Sequence, residues 1–140
     1  MLPRGLKYLK VATKLILYLL AILLAIVAYW NYLFGYRSSD IYTCEEAKEL
    51  RFSFPAGRFG TNILLVGHLE VYVGGWISRG SLELTGTPFR DKEPKHFSAT
   101  DRVSTVSHAY IGEWYDPDFS VGLKPSEGAN CAMKVIYRFE

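Results

Sequence analysis

The stretch Ile63-Leu64-Leu65-Val66-Gly67-His68-Leu69-Glu70-Val71-Tyr72-Val73 decides the fold class. Read with a period of two, it puts Ile63, Leu65, Gly67, Leu69, Val71 and Val73 on one face and Leu64, Val66, His68, Glu70 and Tyr72 on the other. An apolar face backed by a half-polar one is the signature of a strand in a sheet covered on one side. Gly74-Gly75 follows, a dipeptide suited to a tight turn, and Trp76 to Thr85 resumes strand character. The spacing predicts a β-hairpin over 63–85, with a bulge at Gly80.

The flanking sequence continues in the same style. Arg51-Phe52-Ser53-Phe54 reads as a short strand stopped by Pro55 and Gly57. Val103 to Trp114 is a further strand, broken by Asp116-Pro117-Asp118, and Phe119 to Leu123 another. After the turn Pro125-Ser126-Glu127-Gly128, the run Ala132 to Phe139 puts Met133, Val135, Tyr137 and Phe139 on one side and Lys134, Ile136 and Arg138 on the other. Residues 86–102, rich in charge and containing proline, read as a solvated loop. Thr43-Cys44-Glu45-Glu46 has the form of a capping box and predicts a short helix reaching about Leu50. Five or six short strands with almost no helical periodicity predict an all-β domain over 44–140, a small antiparallel sandwich or open barrel.

The N-terminal region obeys another rule. From Leu15 to Val27 every residue is apolar or Tyr, and no charge occurs between Lys14 and Arg37. A helix over those 22 residues rises about 33 Å, enough to cross a hydrocarbon core of roughly 30 Å. Residues 1–36 carry Arg4, Lys7, Lys10 and Lys14 and no acid; residues 37–140 carry the other 12 basic residues and all 14 acids. That asymmetry predicts a basic cytoplasmic N-terminus over 1–14, a transmembrane signal-anchor helix over 15–36, a linker over 37–43 and an extracytoplasmic β domain. Tyr29, Trp30, Tyr32, Phe34 and Tyr36 fit an aromatic belt at the outer interface. Ile26-Val27-Ala28 would serve as a signal-peptide cleavage site, but the chain stays apolar and aromatic beyond it, which favours an uncleaved anchor. The expected location is the inner (plasma) membrane, with the C-terminal domain periplasmic or extracellular.

Cys44 and Cys131 both fall in the domain expected to be exported, and a disulfide between them is the expectation in an oxidising compartment. The net charge of +2 argues against a nucleic-acid protein working by bulk charge.

Chemical constellations are sparse. His68, Glu70 and, on another strand, His108 would need to converge to hold a metal or to act as acid and base. Ser53, Ser78, Ser81, Ser104 and Ser107 include none in a Gly-x-Ser-x-Gly elbow. The glycine spacing matches no phosphate-binding fingerprint, so no cofactor is expected. The most distinctive run is Glu113-Trp114-Tyr115-Asp116-Pro117-Asp118-Phe119, in which rigid aromatic area and orienting acids alternate, as at protein–protein contacts. Trp76, Trp114 and Tyr115 together would suit a glycan platform. The sequence therefore predicts a non-enzymatic, single-pass membrane protein whose β domain binds a protein partner through Glu113, Trp114, Tyr115, Asp116, Asp118 and Phe119. An accessory subunit of an envelope complex or an inhibitor or immunity-type protein fits that description. A glycan- or small-ligand-binding module is the alternative, and a small hydrolase or metal enzyme the third choice.

Overall fold

A computed structural model of the chain describes residues 4–54, 67–91, 93 and 95–140. It resolves into two units, Met1–Gly35 and Tyr36–Glu140, taken here in turn.

The first unit is one helix, α1 (Arg4–Phe34). An 18-residue window within its Tyr8–Phe34 segment has a mean hydropathy of 2.6, and none of that window is buried by protein. The helix starts about three turns before the expected residue 15, because Lys7, Lys10 and Lys14 are good helix formers although they are not apolar. It stops at Phe34, where the Gly35 N–H donates to the Asn31 carbonyl at 2.8 Å. A side chain on Gly35 would collide with that same carbonyl oxygen, so glycine closes the helix.

The second unit is an antiparallel half-barrel with eight strands among the described residues. They are β1 (Arg37–Ser38), β2 (Tyr42–Thr43), β3 (Leu50–Ser53), β4 (His68–Gly86), β5 (Lys95–Ala99), β6 (Ser104–Glu113), β7 (Asp118–Pro125) and β8 (Asn130–Phe139). β4 is the spine. Its first part, His68–Ile77, lies between β6 and β8, and β8 in turn pairs with β1 and β2. Its last part, Gly80–Gly86, lies between β5 and β7, and β7 pairs with β3. The pairing register with β8 shifts between Ile77 and Arg79, and Gly80 has φ +85. The irregularity therefore falls at Ser78, two residues before the bulge expected at Gly80, where β4 passes from its β6 and β8 neighbours to its β5 and β7 neighbours.

The predicted hairpin at Gly74-Gly75 is not present. β4 runs through both glycines as one 19-residue strand. Gly74 pairs with Ser107 and Lys134, Gly75 with Val106 and Met133. Neither has the positive φ that a two-residue hairpin turn demands. Gly75 is required for another reason: a Cβ there would collide with the Ala132 carbonyl oxygen and lie 2.9 Å from the Met133 Cα. The dipeptide marks close approach of neighbouring backbones, which glycine also permits. Ile63 to Val66, Pro55 and Gly57 lie outside the described residues.

Two further expectations are corrected. The supposed loop over 86–102 contains the 3₁₀ turn Thr87–Phe89 and strand β5. β5 is short and largely exposed, with Lys95, His96 and Ser98 turned to water, so its composition resembles a loop. The capping box opens only one 3₁₀ turn, Glu46–Lys48, because β3 begins at Leu50. Glu46 still accepts from the Thr43 backbone N–H and hydroxyl, both at 2.9 Å.

The core is built from the face that alternation assigned. Leu69, Val71, Val73 and Ile77 of β4, Val106 of β6, Val121 and Leu123 of β7, and Met133, Val135 and Phe139 of β8 are buried. Phe52, Phe119, Tyr137 and Phe139 form an aromatic cluster with contacting ring centroids 4.9–6.1 Å apart, Phe52 stacked on Phe119 and the other contacts tilted or edge-on, arrangements that suit the ring quadrupoles. Cys44, directly after β2, and Cys131 in β8 meet with Cα atoms 5.3 Å apart as a disulfide pair.

Candidate functional site

The sheet formed by β6, the first part of β4, and β8 has a second face, turned away from the core. β4 contributes His68, Glu70, Tyr72, Gly74 and Trp76 to it. β8 sets Arg138 opposite Glu70, Ile136 opposite Tyr72 and Lys134 opposite Gly74. β6 sets Glu113 opposite His68 and Ile111 opposite Glu70. Three large apolar side chains on this face are open to solvent: Ile111 at 55% and Ile136 at 40%, level with Glu70 and Tyr72, and Trp76 at 41%, near the other end of the ladder. Where Gly74 omits a side chain, a hollow of about 600 Å³ opens between Tyr72, Ser107, Lys134 and Ile136.

One end of the face is a polar knot. Glu70 is the one charged side chain buried among the described residues. Arg138 grips its carboxylate with two bonds of 3.0 Å, the bidentate geometry that suits a guanidinium. The Tyr36 hydroxyl donates to the same carboxylate at 2.5 Å, and the Tyr72 hydroxyl approaches at 3.4 Å. The Arg138 guanidinium also lies 4.5 Å from the centre of the Tyr36 ring and 2.6 Å from a Glu140 carboxylate oxygen. The bonds from Arg138, and then that from Tyr36, hold the Glu70 carboxyl down at about 2, below its ordinary 4.5. The bond to the Glu70 carboxylate pushes the Tyr36 phenol up to about 12 from 10.0.

These two shifts predict the pH profile of stability. A carboxyl with a depressed folded pKa stabilises above its unfolded value and loses that contribution as pH falls. For Glu70 the loss runs from about 4.5 down to about 2. A phenol with a raised folded pKa stabilises below its unfolded value, and for Tyr36 the loss runs from about 10 up to about 12. Melting temperature against pH is expected to show a plateau between these limits. Tyr36→Phe is expected to remove the Tyr36 part of the alkaline decline, and an unchanged decline would contradict the assignment.

The structure places the sequence-derived site residues as follows. His68 is near Glu70, but His108 pairs opposite Val73, five residues further along β4 and roughly 16 Å away at about 3.3 Å per residue. It also faces the core side, against Phe89 at 5.3 Å between ring centres. His68, Glu70 and His108 therefore do not converge. His68, Glu70 and Glu140 do bring ligand atoms within 4.8 Å of one another. Both of those carboxylates already bond to Arg138, which supplies the positive charge.

Of the aromatic-acidic run, Glu113, Tyr115, Asp116 and Asp118 are exposed. Phe119 is core, at 2% exposure, so it offers no contact surface. The Trp114 indole N–H donates to the Asp118 carbonyl at 3.3 Å and its ring stands edge-on to Tyr110. Asp116 turns the loop by accepting from the Asp118 N–H at 2.9 Å. Trp76 and Trp114 lie near opposite ends of the β4–β6 ladder, since Trp76 pairs with Thr105 while His68 pairs with Glu113. Eight residues of strand between His68 and Trp76 amount to about 26 Å, so Trp76, Trp114 and Tyr115 do not form one platform.

Sequence reading missed Tyr36, Tyr72, Arg138 and Glu140. The usable signal was the opposite charge of Glu70 and Arg138 on the outward faces of two strands, but it needed the β4–β8 register.

No family model matches the chain, and no curated protein sequence matches it. Among solved structures, it is similar to the CBM36-1 domain of a multidomain xylanase from the hindgut metagenome of Trinervitermes trinervoides, with a TM-score of 0.40 and 9% identity over 71% of this chain and 96% of that one. The Drosophila NLP-core has a TM-score of 0.39 and 8% identity over 73% of this chain and 96% of that one. The Eiger TNF of S. frugiperda has a TM-score of 0.37 and 10% identity over 75% of this chain and 92% of that one. These likenesses are loose, and no property of those proteins is carried to this chain.

Proposed function

We propose that the chain is a single-pass membrane protein whose β domain, on the far side of the membrane from its basic N-terminus, binds a protein partner. The observation that carries the partner reading is the outward face holding Trp76, Ile111 and Ile136. Ile111 and Ile136 flank β4 on either side at the levels of Glu70 and Tyr72, Trp76 lies further along the same face, and an interface uses large apolar side chains exposed along one face. Tyr72 and the hollow at Gly74 add relief for a complementary surface, with the charge of Lys134 beside the hollow and that of Glu113 at the end of the face. The exposed residues Glu113, Tyr115, Asp116 and Asp118 border the end of this face and extend the proposed contact. The apolar Tyr8–Phe34 helix supports anchoring. The basic side of that helix and the buried Cys44–Cys131 pair support export to an oxidising compartment.

The test is site-specific photo-crosslinking in native membranes. A photoreactive residue at Trp76, Ile111 or Ile136 is expected to give one discrete adduct. The same residue at Glu127, in the turn between β7 and β8, is expected to give none. Adducts from neither region, or equally from both, would remove the interface reading.

A further inference from the structure

β6 leaves one edge of the sheet open. It pairs with β4 alone, in ten consecutive pairs from His68–Glu113 to Ile77–Ser104 without a register shift. The phase of its hydrogen bonds follows from the neighbours of β4. His68 and Glu140 exchange backbone bonds of 2.9 and 2.8 Å, so over His68–Ile77 the even-numbered residues of β4 turn their backbone groups to β8 and the odd-numbered ones to β6. In the same phase, the Trp114 N–H donates to the Gly67 carbonyl at 3.2 Å. The β6 residues opposite odd positions of β4 are even-numbered. The N–H and C=O groups of Thr105, Ser107, Ala109, Ile111 and Glu113 therefore point off the edge. Among the described residues, the Tyr110 hydroxyl alone bonds to one of these groups, the Glu113 carbonyl, at 2.9 Å.

Sheet edges are normally guarded by shortness, proline, lysine or a bulge. Strand β5 has five residues and carries Lys95; β3 has four and carries Arg51. β6 runs for ten residues without any of those guards. Glu113 is the one acid on it, at its very end.

We propose that this edge pairs with the β6 edge of a second copy of the chain, antiparallel about a two-fold axis through Ala109. The outward faces of the two copies must stay on one side, and open backbone groups must meet open groups. Both conditions set odd-numbered residues against odd-numbered ones. Centred on Ala109, the register sets Ala109 against itself, Ser107 against Ile111 and Thr105 against Glu113 of the other copy. Each such pair exchanges two backbone hydrogen bonds, and the two Glu113 carboxylates stay about 26 Å apart. Beyond the strand ends, Val103 and Arg102 of each copy come to Tyr115 and Asp116 of the other. Val103 and Tyr115 are large apolar side chains left 67% and 64% exposed. Arg102 has no ion-pair partner among the described residues, so Asp116 supplies the opposite charge it lacks. An axis at Ser107 would set Asp101 against Glu113, acid on acid, and one at Ile111 would overlap only residues 109–113. The contact is the strand edge rather than the outward face of Trp76, Ile111 and Ile136, so it stands without the partner reading.

Single cysteines in the full-length protein, oxidised with copper phenanthroline in native membranes, test the pairing. Ala109→Cys lies on the axis, where paired Cα atoms about 5.5 Å apart are within disulfide reach. It is expected to give a covalent dimer of the chain, at least severalfold more than Ser107→Cys or Thr105→Cys. Those thiols would stand about 13 and 26 Å from their own copies. Coexpressed Ser107→Cys and Ile111→Cys chains are expected to join each other. On the Ala109→Cys background, Arg102→Glu is expected to cut the dimer severalfold, and adding Asp116→Arg to restore it, since the charges then meet in the reverse sense. A single cooperative melt in mild detergent shows that each variant folds. No dimer at 109, equal yields at 105, 107 and 109, or an Ala109→Cys adduct to a different protein would overturn the pairing. A dimer that Asp116→Arg fails to restore would overturn the Arg102–Asp116 contact. Photo-crosslinking at Trp76 and Ile136 reads other residues, so the partner reading and this pairing fail separately.

Discussion

Gly75→Ala is expected to destabilise the β domain by about 3 kcal/mol or more, while its neighbour Gly74→Ala costs less than about 1 kcal/mol. The contrast follows from position. A Cβ at Gly75 meets the Ala132 carbonyl oxygen and the Met133 Cα, both backbone atoms of β8. β8 is held by β4 on one side and by β1 and β2 on the other, so it has little room to retreat. A Cβ at Gly74 meets nothing within 4 Å and projects over the open hollow. Removing a glycine from a strand interior even recovers some backbone entropy there. Denaturant unfolding of the full-length protein in mild detergent measures both. Were the two glycines the centre of a type I′ hairpin, each would need positive φ and both alanines would be harmful. Similar losses at both positions would therefore contradict the continuous strand.

Removing the disulfide pair is the second large effect. Cys44 and Cys131 are 87 residues apart in sequence, and closing a loop of that size restricts the unfolded chain by about 4–5 kcal/mol in the chain-entropy model. The double variant Cys44→Ser with Cys131→Ser is expected to lose about that much. Because both sulfurs are buried beside the core, polar serine hydroxyls add to the loss, and Cys→Ala at both positions separates the two contributions. The midpoint of unfolding is expected to fall and the denaturant dependence to change as the unfolded state expands. A variant as stable as the parent would show that residues 36–44 are held by β1, β2 and Tyr36 without the covalent pair.

The parts of the fold that are legible in sequence are those fixed by one-sided burial. In β8, Met133, Val135, Tyr137 and Phe139 alternate with Lys134, Ile136 and Arg138, and the same alternation separates core from surface in the structure. The N-terminal helix is equally plain, because an unbroken apolar run needs no tertiary information. Gly74-Gly75 was ambiguous in physical terms. Glycine serves a turn through its freedom in φ and a close backbone approach through its missing Cβ, and only the neighbouring strand decides which. β5 was hidden because an exposed strand with polar side chains carries little apolar signal.

The Glu70 knot was beyond reach for a similar reason. Its members are 34 and 68 residues apart in sequence and meet only through the pairing of β4 with β8 and the return of Tyr36 to the sheet. In the aromatic-acidic run, Tyr115, Asp116 and Asp118 are exposed, whereas the place of Phe119 is set by the aromatic cluster with Tyr137 and Phe139, which composition does not reveal.

The β domain is expected on the far side of a membrane from the basic N-terminus, and labelling in sealed vesicles decides that placement. Membranes carrying the full-length protein with an epitope tag after Glu140 are washed with alkaline carbonate. The vesicles are then probed in right-side-out and inverted orientation, and the cysteines are alkylated in parallel. The chain is expected to stay with the membrane, the tag to be bound by antibody only in right-side-out vesicles, and Cys44 and Cys131 to resist alkylation until reduced. A chain released by carbonate, or a tag reached only in inverted vesicles with both thiols free, would contradict that placement.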